Sequence, residues 1–225
     1  MLRPAFALLA ALALAGCSAL PTSGARDDRG AAQRPPIARP GDAGASRQCL
    51  AELGSAGAGF TPVPDRYPES GCSLVGTVQL SDLASDTARL GIGNIGPVTC
   101  ELGQAFAAWA RFGADRAARQ LLGSPLRSIE TFGSYSCRDV AGSGRRSAHA
   151  SAAAIDISGF VLADGRRITV QSGWDGLSEA ERRFLRVVHQ SACRRFGTVL
   201  GPDYNAAHRD HLHVEGVSAG RSYCR

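Results

Sequence analysis

The chain has 225 residues, enough for one domain with a substantial core. Its formal net charge is +5, from 25 basic residues against 20 acidic ones, and every basic residue is an arginine. Arg3 and the Arg-rich stretch 18–47 account for more than half of that excess, and the remaining Arg residues are scattered, without a clustered basic face or aromatic platforms. A nucleic-acid partner is therefore excluded.

Residues 1–17 hold Arg3 and then the apolar run AFALLAALALAG. That run is too short for a permanent bilayer span and reads as a secretory signal. Leu14-Ala15-Gly16-Cys17 resembles the bacterial lipobox. The resemblance implies that Cys17 is acylated, giving a membrane anchor worth about 0.8 kcal/mol per buried methylene. Ser18, a non-acidic residue after that Cys, implies the outer membrane, with the protein facing the periplasm.

From 18 to 47 the composition shifts to Gly, Ala, Pro, Arg and Asp, with Leu20 and Ile37 the only larger aliphatics. So little apolar surface cannot offset ordering entropy, and the stretch reads as a disordered tether reaching about 100 Å at roughly 3.3 Å per residue. Residues 48–225 form the domain, without an internal repeat or a second hydrophobic span, and a monomer is expected.

Beyond Cys17 there are six cysteines: Cys49, Cys72, Cys100, Cys137, Cys193 and Cys224. An even count in an exported chain implies disulfides, and six allow fifteen pairings. Pairing in chain order, Cys49 with Cys72, Cys100 with Cys137 and Cys193 with Cys224, is the working expectation.

Thr99 to Leu122 carries Leu102, Phe106, Trp109 and Ala110 at helical spacing, as one helix or as two separated near Gly113. Leu126 to Phe132 alternates as a strand does. Phe160–Ala163 and Arg166–Val170 flank Asp164-Gly165, a two-residue hairpin signal. Ser178 and Glu181 form a capping box for a helix running to Phe196 and stopping at Gly197. Leu212 to Val217 reads as the last strand. Helices and strands do not alternate as parallel crossovers require, so the fold class is α+β, a mainly antiparallel sheet packed with helices and stapled by disulfides.

The chemistry concentrates in Ser147–Asp156, SAHASAAAID, and in the later segment AAHRDHLHVEG. His149 and Asp156 would stand roughly 10 Å apart along a helix, or more than 20 Å apart on a straight strand. Donors sharing one tetrahedral zinc lie only about 3.3 Å apart, so the chain must turn back between the two if both bind one ion. His208, His211, His213, Asp210 and Glu215 offer further donors. Positions 211, 213 and 215 share a strand face at about 6.6 Å intervals, which suits one ligand beside an outer-shell or proton-transfer group. His189, on an amphipathic helix, reads as a packed side chain.

The pattern Ser147-x-His149, Ala154-x-Asp156 and His211-x-His213 resembles the zinc signature of the peptidases that cut D-Ala-D-Ala and related murein cross-links. That group includes murein endopeptidases and, on the same fold, the hedgehog signalling domain. More closely, the domain is similar to the bacterial extensin-like C-terminal family through GSYSCR, SAHASAAAIDISGF, FGTVLGPDYNAAHRDHLHVEG and the final YC.

The peptidase pattern implies a zinc cofactor held by His149, Asp156 and His213, with a fourth position open as in catalytic sites. It implies Asp210 as general base, with His211 as the alternative or its partner. Arg138 stands where those peptidases carry an Arg near the carbonyl oxygen, an oxyanion-stabilising position. The expected function is hydrolysis of peptidoglycan stem-peptide or cross-link amides from a lipid tether. The alternative is a non-catalytic wall-binding or envelope-structural module on the same fold. One position departs from the signature, Ala152 in place of Gly; if positive φ is needed there, Ala costs about 1 kcal/mol or more.

Overall fold

A computed structural model describes residues 42–225. The expected signal, Cys17 and the tether up to residue 41 lie outside the described residues, while 42–47 fall within the first helix. The elements are α1 (Asp42–Ser55), β1 (Gly59–Pro62), β2 (Thr77–Ala84), β3 (Arg89–Gly93), β4 (Val98–Thr99) and α2 (Cys100–Trp109). A π-helical segment, Ala110–Asp115, leads into α3 (Arg116–Leu122) and β5 (Leu126–Gly133). Then come β6 (Ala154–Leu162), β7 (Arg167–Thr169), α4 (Val170–Gly173), α5 (Glu179–Ala192), β8 (Phe196–Leu200), β9 (Leu212–Val217) and β10 (Tyr223–Cys224). No helix among the described residues is long and apolar enough to cross a membrane.

The fold is α+β around one mixed ten-stranded sheet, ordered β1-β2-β3-β5-β6-β9-β8-β10, with β4 on β2 and β7 on β6. The β3–β5 and β8–β10 pairs are parallel and the others antiparallel. Alternation along the central strands separates core from site. Ile155, Val214 and Val199 are register partners and all belong to the core. Asp156 and His213, one residue along, therefore turn to the other face. The core centres on Trp109, whose ring lies 5.7 Å from Phe106, 6.1 Å from Phe160 and 6.4 Å from Phe196. Its indole N–H, buried with it, donates to the Val188 carbonyl at 3.0 Å.

Several expectations are corrected. The disulfides join Cys49 to Cys100 and Cys72 to Cys137; only Cys193–Cys224 follows chain order. Cys49 on α1 lies 6.1 Å (Cα–Cα) from Cys100 at the start of α2, a meeting made by helix packing rather than by closeness in sequence. Of the two alternatives for Thr99 to Leu122, one continuous run holds, and Gly113 does not break it. A Cβ there would stand 2.3 Å from Ser191 Oγ, so the glycine permits close packing against α5 while the helix continues through a π turn. The capping helix starts as expected, with Ser178 Oγ accepting from Glu181 N at 3.3 Å. It ends at Ala192, however, and Phe196 opens β8 instead of closing the helix.

A candidate metal centre

The turn between His149 and Asp156 is compact. Ser147 caps a 3-10 turn over Ala148–Ser151, its Oγ accepting from His149 N at 3.4 Å. Ala152 then takes the left-handed conformation, φ 55 and ψ 25, and β6 begins two residues later. The Ala152 carbonyl accepts from Thr99 N at 2.9 Å, fixing the reversal to the residue that caps α2. Ala152 is fully buried. A non-glycine residue thus occupies a left-handed position, at a cost of about 1 to 2 kcal/mol.

That reversal brings His149 Nε2 to 3.3 Å from Asp156 Oδ1. His213 comes from β9, directly opposite Asp156 in register, and its Nδ1 lies 2.9 Å from the same oxygen. The third side of the triangle, His149 Nε2 to His213 Nδ1, is 3.2 Å. These edges match the roughly 3.3 Å between donors on one tetrahedral zinc. Only 3 % of His149 and 8 % of His213 is exposed to solvent.

Both imidazoles have their outer nitrogens occupied. His149 Nδ1 meets the Ser134 carbonyl at 2.5 Å, and only a protonated Nδ1 can donate to it. Ser134 is itself held, its hydroxyl donating to the Pro97 carbonyl at 2.8 Å. His213 Nε2 faces Glu215 Oε2 at 3.3 Å. Such outer partners set the tautomer of metal-binding histidines and leave the inner nitrogen's lone pair free. Two inner nitrogens and a carboxylate oxygen then converge, an arrangement that requires a cation, whether a proton or a metal, among them.

The electrostatics agree. Burial would raise the Asp156 carboxyl, but hydrogen bonds from His149 and His213 outweigh it and hold the group well below the usual carboxylate range. Burial would lower His213, yet its hydrogen bonds to Asp156 and Glu215 prevail and lift it to about 9. Glu215 is lowered chiefly by the hydrogen bond from His213, against burial, with a smaller contribution from the charge of Arg145. His208 is pushed down to about 4 by burial and then by the charges of His211 and His213.

The two candidate bases form a pair. His211 Nδ1 donates to Asp210 Oδ1 at 2.9 Å, and His211 Nε2 points inward, 3.5 Å from Asp156 Oδ1. β9 begins at Leu212, yet His211 still falls on the side of His213. Phe132 meets the His211 ring edge-on at 5.9 Å. Arg138 lines the adjoining cleft, about 870 Å³, together with His208, Tyr204 and Tyr223.

Sequence reading missed Ser134 and the two tyrosines. It offered His208 and Glu215 only as further donors, and the two-residue spacing of Glu215 from His213 on one strand face already suited an outer partner. His189, Cys193 and Cys224 also lie close together. There the two cysteines are joined as a disulfide and His189 Nε2 bonds the Arg225 carbonyl at 3.0 Å, so the group is scaffolding.

Fold and site define a disulfide-stapled α+β domain with a buried donor triangle of two imidazoles and one carboxylate at the end of an open cleft. The chain belongs to the family described as extensin-like protein C-terminus, whose sequence model matches residues 47–225. No curated protein and no solved structure matched it.

Proposed function

We propose that the protein is a zinc-dependent hydrolase of peptidoglycan stem-peptide or cross-link amide bonds, working in the periplasm from a lipid anchor on Cys17. The observation that carries this reading is the donor triangle, with edges of 3.3, 2.9 and 3.2 Å. His149 Nε2, Asp156 Oδ1 and His213 Nδ1 would hold the ion, the same ligand order as in the zinc D-Ala-D-Ala peptidases and hedgehog domains that the sequence resembles. A zinc ion held there supplies Lewis acidity toward an amide carbonyl and a water molecule.

The chain's own groups do the rest. His211 Nε2, free to accept because Nδ1 donates to Asp210, takes a proton from the attacking water; Asp210 stabilises the resulting imidazolium. His211 then returns that proton to the departing amine. Arg138, on the cleft wall, donates to the oxygen on which negative charge develops. The cleft is large enough for several residues of an extended peptide.

The test is mass spectrometry of purified muropeptides incubated with the zinc-loaded protein. The reading predicts a peptide product that disappears in His149→Ala. Bound zinc without any product would instead favour a wall-binding module.

A further inference from the structure

The cleft beside the donor triangle has two unlike walls. One is the loop 138–147, anchored by the Cys72–Cys137 disulfide and closed by the Asp139–Arg146 bridge and a Val140 N to Arg145 O hydrogen bond of 2.9 Å. Arg138, Arg145 and Arg146 line the cleft from this loop. The other wall carries Tyr204 and Tyr223, edge to face at 6.2 Å.

The charges on these walls are unevenly committed. Arg146 pairs with Asp139 at 3.1 Å and donates to the Ser70 carbonyl at 2.7 Å. The two acids that line the cleft, Asp156 and Glu215, are taken up by His149 and His213. Among the described residues, the Arg138 and Arg145 side chains have neither an ion pair nor a hydrogen bond. Arg145 acts on Glu215 through its charge alone, without a direct bond, so the cleft offers guanidinium groups with no bonded partner and no acid left unpaired.

The two cations leave the loop at different points. Arg138 follows the disulfide, and its carbonyl accepts from Ser147 N at 3.1 Å, two residues before His149, so its side chain springs from beside the ligands. Arg145 springs from nearer the loop tip, past the Asp139–Arg146 bridge.

We infer that Arg145 is a specificity-determining residue that binds a free carboxylate of the peptide, one residue beyond the amide lying over the donor triangle. A guanidinium suits this task, because its planar fork meets both carboxylate oxygens at once. The inference rests on the proposed hydrolysis for the peptide nature of the ligand. It narrows the substrate to peptides that are anionic beside the cleaved bond.

The test compares two probes on the zinc-loaded full chain, N-acetyl-D-alanyl-D-alanine and its C-terminal amide, by equilibrium binding in the His211→Ala background. The acid should bind at least about tenfold tighter than the amide, the worth of one charge-assisted hydrogen-bond pair. In Arg145→Gln the two should bind within about twofold, with the amide's affinity unchanged, and Arg145→Lys should recover part of the difference. Equal binding of acid and amide, no binding of either, or discrimination that survives Arg145→Gln would overturn the inference. Because the readout is binding, the two claims fail separately. Discrimination without muropeptide cleavage by the wild type would sink the hydrolysis, whereas cleavage without discrimination would sink the role of Arg145.

Discussion

Asp156 Oδ1 and His213 Nδ1 stand 2.9 Å apart on adjacent antiparallel strands, paired directly in register. A sheet thus fixes two of the three candidate ligands, and the His149 turn has only to deliver the third.

Zinc uptake should be pH-dependent with a definite sign. In the metal-free protein His213 is raised to about 9, so at pH 7 it carries a proton that must leave before its nitrogen can bind an ion. Apparent zinc affinity should rise by about tenfold per pH unit through neutrality and level off near pH 9. Competition titrations against a chelator across this range test it; an affinity flat between pH 7 and 9 would count against the assignment.

Glu215 should act through His213. Glu215→Gln keeps all three donors but weakens the partner of His213 Nε2, so zinc affinity should fall by about 10- to 100-fold without being abolished. The same substitution removes a charge that holds His213 protonated, so the pH at which affinity levels off should move down. An unchanged pH profile would leave Glu215 a bystander.

Hydrolysis and metal binding should separate at His211. His211→Ala should retain stoichiometric zinc while slowing muropeptide cleavage by about 10²- to 10⁴-fold. Asp210→Asn, which keeps the imidazole in place but weakens its support, should cost less than His211→Ala. If Asp210→Asn proved the more damaging of the two, the carboxylate itself would be the base.

Ala152→Gly should be unusually mild for a buried alanine. Glycine loses a methyl worth about 0.8 kcal/mol but relieves about 1 to 2 kcal/mol of left-handed strain. Ala118→Gly, equally buried but within α3, loses the methyl and about 1 kcal/mol of helix propensity. Denaturant unfolding should find Ala118→Gly the more destabilising by at least about 1 kcal/mol.

What could be read in advance was local, or forced by donor geometry. The reversal between His149 and Asp156 was read from the condition that both bind one ion, and the hairpin at Asp164-Gly165 from φ preferences. In the hairpin, however, Leu162 N donates to the Arg166 carbonyl at 2.8 Å and closes a three-residue loop in which Gly165 alone takes a positive φ, 92. The Cys49–Cys100 and Cys72–Cys137 pairings were hidden, because they record which loops and helices meet across 51 and 65 residues of chain. β8 was hidden for a different reason. Phe196 continues the apolar rhythm of α5, and only the pairing of Phe196–Leu200 with β9 turns it into a strand. Ser134 contributes a backbone carbonyl, which carries no side-chain signature in a sequence.

Metal analysis of the full chain, purified without chelator and compared with His149→Ala and His213→Ala, tests the donor triangle most directly. One zinc per chain in the wild type and none in either variant is the predicted result. A wild type without zinc after loading, or variants that keep a full equivalent, would contradict it.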